Sequence, residues 1–123
     1  MLSPKDIAFS AANVLDQKNA RDVKILKIEE LTVLANFFVI CTASTTTHIK
    51  TLTDELEKKL EEFGEHPIRR EGYRSGGWIL LDYGCVVVHV FLEELRGFYN
   101  LERLWGDAEQ LEFVPEGIVS DGV

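Results

Sequence analysis

The segment from residue 78 to residue 92, WILLDYGCVVVHVFL, constrains the fold of this chain more than any other part of the sequence. Two runs rich in β-branched and aromatic side chains flank Tyr83-Gly84, which predicts a β-hairpin with a two-residue turn. Trp78 would then face His89 across the two strands. Because side chains alternate along a strand, one face is aliphatic and predicts the core, whereas the other is mixed. The mixed face carries Trp78, Leu80, Asp82, Cys85, Val87 and His89.

Two amphipathic helices accompany this hairpin. Ser3 and Pro4 are typical of a helix start, and apolar residues at helical spacing continue to about Lys18. The second helix begins at a threonine among residues 45–47, and Gly64 is placed to end it. Its apolar stripe predicts packing on a sheet, and its charged stripe predicts a solvated face.

The remaining segments predict strands. Residues 36–44 are apolar without alternation, which suits a central strand covered on both faces, and residues 22–28 form a second strand. Residues 66–72 predict a short strand, which Pro67 places at an edge or strand start. With the hairpin, these segments predict an α/β fold: a mixed five-stranded sheet flanked by helices.

Length and composition indicate one folded domain. A chain of 123 residues buries a single core, so we expect one domain over residues 1–112 and a flexible tail over residues 113–123. Cys41 and Cys85 lie in apolar runs and are expected to be reduced core residues. The N-terminus lacks the pattern of a signal peptide, and no segment has the ~20 apolar residues of a membrane span. These features favour a cytoplasmic protein without a membrane partner.

The net charge of −8 is unevenly distributed. Residues 1–81 carry twelve acidic and eleven basic side chains, whereas residues 82–123 carry nine acidic side chains against Arg96 and Arg103. Phosphate binding needs Lys or Arg, so the C-terminal third is not expected to bind DNA or RNA directly. Its charge favours a basic protein partner, or simply a solvated acidic surface.

Residue spacing does not indicate a reaction or a metal site. The histidines and cysteines show no His-x-x-x-His or Cys-x-x-Cys pattern, and Cys85 and His89 lie about 13 Å apart along one strand. The segment GYRSGG, residues 72–77, lacks the Lys-Ser/Thr pair of a phosphate loop and predicts a strand connection. We therefore expect no catalytic residue, no metal and no cofactor.

The segment LEELRGFYNLERLWGDAE, residues 92–109, crowds apolar and aromatic side chains among carboxylates. Aromatic residues are enriched at interface centres, so the segment predicts a docking surface; closure of the core is the alternative. A helix over residues 93–104 would turn one set of side chains inward: Leu95, Phe98 and Leu101, with Leu104 at the margin. It would leave a second set exposed: Tyr99, Glu102 and residues 105–107.

Three blocks of this sequence resemble the ribosomal silencing factor family, also called the Iojap-related family. They are NFFVICTAS with HIKTLTDELEKKL, EG with GWILLDYGCVVVHVFLEE, and FYNLERLWGDA. The likeness covers residues 6–108, nearly the whole domain. It implies a fold like that of nucleotidyltransferases but without their catalytic carboxylates. A small metal-dependent nucleotidyltransferase-like enzyme is the alternative that this fold leaves open.

The resemblance also implies a function and a partner. Family members bind the large ribosomal subunit through its ribosomal protein number fourteen and sterically prevent subunit joining when nutrients are scarce. Carried over to this chain, the family pattern marks seven partner contacts: Trp78, His89, Glu93, Tyr99, Glu102, Trp105 and Asp107. Formation of a homodimer, through a sheet edge or the aromatic patch, stays open.

The chain departs from the family pattern at three places. Cys85 stands where an acidic residue is usual, and Asn36 stands where Asp is usual. The segment TASTTTH, residues 42–48, differs from the Gly-containing, Arg-bearing loop of the family. Loss of a carboxylate at Cys85 is expected to weaken attraction to a basic partner.

Overall fold

A mixed six-stranded sheet carries two helices on one face and a short helical segment on the other. The structure is a computed structural model and describes residues 2–113. Its elements are α1 (Pro4–Gln17), β1 (Arg21–Lys27), β2 (Phe37–Ala43), α2 (Thr46–Glu61), β3 (Arg69–Tyr73), β4 (Trp78–Asp82), β5 (Val86–Leu92), α3 (Glu93–Tyr99), α4 (Leu101–Leu104) and β6 (Glu109–Leu111). The strand order is β3-β4-β5-β2-β1-β6, with β2 and β5 parallel and the other neighbours antiparallel.

Both predicted amphipathic helices are confirmed. The Ser3 hydroxyl accepts a hydrogen bond from the Asp6 N–H at 3.1 Å, and Thr45 caps α2 by accepting from the His48 N–H at 3.0 Å. Gly64, at φ +82°, lies just past α2 and lets the chain leave the helix. The apolar stripes of α1 and α2 pack together against the sheet and form the main core.

Strand β2 lies at the centre of the sheet, as its unbroken apolar sequence predicts. All seven of its residues are buried, and it lies between β5 and β1. The main core covers one face of β2, and a second apolar cluster that includes Phe38 and Ile40 covers the other. On the face of the second cluster, some apolar side chains lie near water. Exposed apolar groups of this kind can form a binding surface.

The predicted hairpin is present, but the predicted pairing was wrong by two residues. Trp78 lies opposite Phe91 and not opposite His89, and Leu80 takes the position opposite His89. A shift of two residues leaves each side chain on its original face, whereas a shift of one would reverse them all. The predicted aliphatic face therefore does lie in the main core.

The turn of this hairpin explains the error. The central residues are Gly84 and Cys85 instead of Tyr83-Gly84, and the Tyr83 N–H donates to the Val86 carbonyl at 2.8 Å. Gly84 has φ +85°. A two-residue hairpin turn with glycine at its first central position needs this positive φ, so the glycine sets the register.

The sheet has six strands and not the predicted five. The additional strand, β6, has three residues and pairs antiparallel with β1, with Leu111 opposite Ile25. Such a short, charged segment has no alternating pattern, so only its tertiary pairing makes it a strand. Leu111 and Phe113 pack against the main core. The rest of the predicted tail over residues 113–123 lies outside the described residues.

Asn100 divides the single helix predicted over residues 93–104 into α3 and α4. Its backbone is left-handed, with φ 43° and ψ 61°, and its side chain caps α4 by accepting a hydrogen bond from the Arg103 N–H at 3.2 Å. Asparagine is among the few residues that adopt this conformation readily. We call residues 93–108, which lie on the second face of the sheet, the C-terminal cap.

Candidate functional site

Four of the seven predicted contact residues form one aromatic layer between the C-terminal cap and the sheet. The Trp78 ring stacks on Phe91, with ring centroids 4.9 Å apart, and lies 4.7 Å from the Tyr99 ring. The Trp105 ring meets Phe38 edge to face at 5.7 Å. Aromatic pairs of this kind stabilise beyond the area that they bury. This layer therefore fixes the cap on β4, β5 and β2.

His89 is the most deeply buried of the seven, with only 4% of its surface exposed. Trp78 Nε1 donates a hydrogen bond to His89 Nδ1 at 3.3 Å. Burial lowers the pKa of His89 to about 4, so the ring is neutral near pH 7. Since Nδ1 accepts, the proton lies on Nε2, which is buried and has no hydrogen-bond partner within residues 2–113.

Glu102 holds the cap to the sheet by way of Arg96, a residue that the sequence reasoning missed. Arg96 is only 8% exposed, and its guanidinium donates to Thr42 Oγ1 and to Glu102 Oε2, each at 2.9 Å, and to the Asp22 carbonyl. Partial burial raises the pKa of Glu102, but the hydrogen bond and charge of Arg96 outweigh burial and hold it below its ordinary value. The available signal was that Arg96 is one of two basic residues in an acidic segment.

The predicted inward and outward sides of the cap were partly wrong. Phe98 and Leu104, expected in the core, are 75% and 72% exposed, and they line one shallow depression of about 520 Å³. Tyr99 and Trp105, expected to be exposed, pack against the second cluster. Within α3, the side that faces the sheet includes the buried Arg96, which turns Tyr99 inward and Phe98 outward. The left-handed residue Asn100 then resets the helical phase, so that Leu104 points outward and Trp105 packs inward.

Glu93 and Asp107 are the two predicted contacts that lie in the open. Glu93 forms an ion pair with Arg21 at 3.1 Å between two exposed side chains. Such a pair contributes little to stability, so Glu93 remains available to a partner. Asp107 is exposed in the loop that follows α4. The seven predicted residues thus divide into four aromatic residues, the partly buried carboxylate of Glu102, and the two exposed carboxylates of Glu93 and Asp107.

The C-terminal cap covers only part of the second sheet face, and a pocket of about 240 Å³ lies on the uncovered part. We call it the His89 pocket, since the buried imidazole lines it. Its other lining residues are Leu34, Phe38, Arg69, Leu80, Asp82 and Val87. No sequence pattern marked Leu34 or Arg69, because they come from a loop and from the edge strand β3.

Asp82, the single carboxylate of the hairpin strands, is bound by groups of this chain. Its Oδ2 accepts hydrogen bonds from Arg69 Nε and Nη2 at 3.2 and 3.1 Å, and its Oδ1 accepts from the Gly84 N–H at 2.7 Å. Within residues 2–113, no three His, Cys, Asp or Glu side chains are grouped to hold a metal ion. No helix in that range is long and apolar enough to cross a membrane.

Comparison with known proteins gives the family. A family model described as ribosomal silencing factor during starvation matches residues 2–121. The chain belongs to the ribosomal silencing factor family. It is 39% identical to the ribosomal silencing factor of Halalkalibacterium halodurans, over 97% of this chain and all of that protein. A more distant family relative, mouse mitochondrial assembly of ribosomal large subunit protein 1, is 29% identical over 76% of this chain and 42% of its own length.

A solved structure has the same silencing-factor fold. Protein CV0518 from Chromobacterium violaceum superimposes with a TM-score of 0.82 at 31% identity, covering 95% of this chain and 97% of that one. The family match continues past residue 108, where the recognisable motifs end, and so includes β6.

The positions at which this silencing factor departs from its family pattern have local structural roles. Asn36 Nδ2 donates a hydrogen bond to Glu29 Oε1 at 3.1 Å, and Cys85 occupies the hairpin turn. In the altered loop, His48 Nδ1 accepts from the Ser44 N–H at 3.0 Å, and Nε2 lies 2.9 Å from the Lys18 carbonyl. His48 thus joins the start of α2 to the end of α1.

Proposed function

We propose that this cytoplasmic protein binds the large ribosomal subunit through ribosomal protein number fourteen and sterically blocks joining of the small subunit. It would thereby repress translation when nutrients are limiting. Membership of the ribosomal silencing factor family supports this proposal, as does the likeness to a mouse protein named for assembly of the ribosomal large subunit. A protein that acts by occupying space needs no catalytic residue, metal or cofactor.

The exposure of Phe98 and Leu104 is the observation that carries the proposal. Both side chains are about three-quarters exposed on neighbouring turns of the C-terminal cap, around one depression. Burying one such side chain against a partner contributes roughly 1.5–3 kcal/mol. Two large apolar side chains next to each other in water do not stabilise the free protein. Their exposure therefore favours a docking surface centred on these two residues.

Charge around the two apolar residues favours a basic partner. The cap and the start of β6 carry four exposed carboxylates, although the charged side chain that lines the depression itself is Arg103. The carboxylates are Glu93, Glu94, Asp107 and Glu109. Ribosomal proteins are generally basic, so opposite potentials would speed the encounter and disfavour acidic competitors. A stable complex should bury about 800 Å² on each partner, which is more than these two residues supply.

The seven family-marked residues would then have two roles. We assign direct contact to Glu93 and Asp107 and to the accessible edges of Tyr99 and Trp105. Trp78 and Glu102 act indirectly, because they hold the cap in place through the aromatic layer and through Arg96. His89 lines the neighbouring His89 pocket.

The rate of subunit joining tests this function. Light scattering should show that the protein slows the joining of small subunits to large subunits that it has already bound. A variant with Phe98→Asp and Leu104→Asp should lose this inhibition. Phe63→Asp is the matched control, because Phe63 is an exposed apolar residue beside α2 and on the opposite side of the sheet.

The result that would contradict the proposal is equally direct. If subunits join at the same rate with and without the wild-type protein at saturating concentration, the protein does not act as a steric block. If the double variant inhibits as well as the wild type and as the Phe63→Asp control, the cap does not carry the docking surface.

A further inference from the structure

The His89 pocket lies on an apolar part of the sheet that none of the helices within residues 2–113 covers. Leu80 and Val87 form its floor on β4 and β5, and Leu34 is 71% exposed at its rim. Antiparallel sheet faces that meet water normally carry polar side chains at such positions. Phe38 forms another wall and also contacts Trp105 of the C-terminal cap, so the pocket continues the proposed docking surface.

The imidazole of His89, which lines this pocket, carries a buried donor without a partner in residues 2–113. His89 Nε2 carries the ring proton, because Trp78 donates to Nδ1, and Nε2 itself has no hydrogen-bond partner among the described residues. An unsatisfied buried donor destabilises the folded protein, because the group has lost its hydrogen bonds to water. An oxygen acceptor placed in the pocket would recover this free energy.

The charges of the pocket are already paired. Arg69 donates to Asp82 Oδ2 at 3.1 Å and to Glu71 at 2.8 Å, and the second Asp82 oxygen accepts from Gly84. Because Asp82 and Glu71 already pair with Arg69, the pocket offers no unpaired carboxylate to an entering lysine or arginine. A carboxylate is not favoured either, because an overall charge of −8 opposes its approach.

We propose that the His89 pocket receives one uncharged group of the partner ribosomal protein, in which an oxygen acceptor lies next to an aliphatic stem. A threonine or glutamine side chain, or a main-chain carbonyl beside an aliphatic residue, has this chemistry. The acceptor takes the Nε2–H of His89, and the stem packs on Leu80, Val87 and Leu34. This inference rests on the proposed function and places a second anchor beside Phe98 and Leu104.

Two neighbouring loop residues provide the test. Leu34 lines the pocket, whereas Val33 is fully exposed and does not line it. In a pelleting assay with purified large subunits, Leu34→Asp should weaken binding by about tenfold, as expected for loss of an interface anchor. Val33→Asp introduces the same charge one residue away and should bind within about twofold of wild type, since rim positions contribute little.

The imidazole signals of His89 provide the second readout. With ¹⁵N-labelled histidine, the Nε2 signal of His89 should shift when purified ribosomal protein number fourteen is added. The signals of His66, which is exposed outside the pocket, should stay unchanged.

Three other results would overturn the inference, and each shows whether the proposed function fails with it. If wild type does not pellet with large subunits, the proposed function and the pocket fail together. If wild type pellets but Leu34→Asp binds equally well, or Val33→Asp loses as much affinity, the pocket is not an anchor and the proposed function stands. Unchanged His89 signals in a formed complex lead to the same conclusion.

Discussion

Two buried polar residues, Arg96 and His89, control how the second face of the sheet is covered. Arg96 joins α3 to α4 through Glu102 and to strands β1 and β2 through Asp22 and Thr42. One planar guanidinium on α3 thus satisfies acceptors on three other elements, which a lysine ammonium cannot do with the same geometry. His89 instead leaves one donor free beneath the pocket.

Replacing Arg96 should destabilise the fold. Arg96→Met leaves Glu102 and the buried Thr42 hydroxyl without their donor, and loss of one partner of a buried pair costs about 3 kcal/mol. Urea unfolding at pH 7 measures this change. Arg96→Lys should recover only part of it. Arg103→Met, at an exposed position of the same cap, should change stability by less than about 0.5 kcal/mol; an equal loss there would refute a specific role for Arg96.

His89 should make stability depend on acidity. Its pKa is lowered from 6.5 to about 4 by burial, so as pH falls from 6.5 to 4 the unfolded chain takes up a proton that the folded chain excludes. Stability is therefore lost over this window, by roughly 3 kcal/mol for the histidine alone. Urea unfolding of wild type and His89→Phe at pH 7 and pH 4 isolates this contribution. An identical pH dependence in both proteins would show that His89 is not held neutral.

Among the structural elements, the C-terminal cap was predicted only in part from the sequence. The helical pattern over residues 93–104 correctly predicted helix and placed Leu95 and Leu101 against the sheet, but reversed Phe98 and Tyr99. A periodicity argument assumes one unbroken helix. The buried Arg96 turns Tyr99 and not Phe98 toward the sheet within α3, and the left-handed residue Asn100 then ends that helix. Neither feature leaves a strong local signal in the sequence.

Asn100 should tolerate glycine better than alanine. Asn100→Ala loses the cap of α4 and places a residue with a Cβ at φ 43°, which should cost about 1–2 kcal/mol. Asn100→Gly keeps the backbone conformation and loses only the side-chain cap, so its cost should be a few tenths of a kcal/mol. Thermal unfolding of both variants checks the order. If alanine is the milder change, the left-handed break does not define the cap.

In the hairpin, the sequence predicted the faces of the strands but not their pairing. Alternation correctly assigned the two faces of strands β4 and β5, because side-chain direction within a strand depends only on whether a position is odd or even. Cys85, assigned to the mixed face, instead lies in the turn and packs against the main core. Pairing depends on turn geometry, and the sequence allows either Tyr83-Gly84 or Gly84-Cys85 as the turn. The pairing of β1 with β6 was not predicted. It depends on contacts between residues distant in sequence, and the sequence of β6 has no local strand pattern.

For the whole molecule, the sheet divides structural and binding roles between its faces. Helices α1 and α2 close one face completely with an apolar core that the sequence predicted well. The other face is closed only by the short cap, which leaves apolar side chains and carboxylates exposed. The sequence predicted the acidic, aromatic character of this surface, but not which rings stay exposed. The His89 pocket was also missed, because it combines residues from a loop and from strands distant in sequence.

Binding to large subunits should depend on salt mainly through the association rate. The acidic surface speeds encounter with a basic partner, and salt screens this attraction beyond about 10 Å at 0.1 M. Stopped-flow measurements from 0.05 to 0.5 M salt should show a falling association rate and a nearly constant dissociation rate. The double variant Phe98→Asp and Leu104→Asp should instead dissociate faster. A salt-independent association rate would contradict electrostatic steering.

The central claim is that this protein and the small subunit compete for one face of the large subunit. Sedimentation of large subunits, small subunits and saturating protein through one density gradient tests it most directly. The protein should migrate with free large subunits and be absent from joined ribosomes, whose amount should fall as protein is added. Protein found at full occupancy on joined ribosomes would contradict steric exclusion, however tightly it binds.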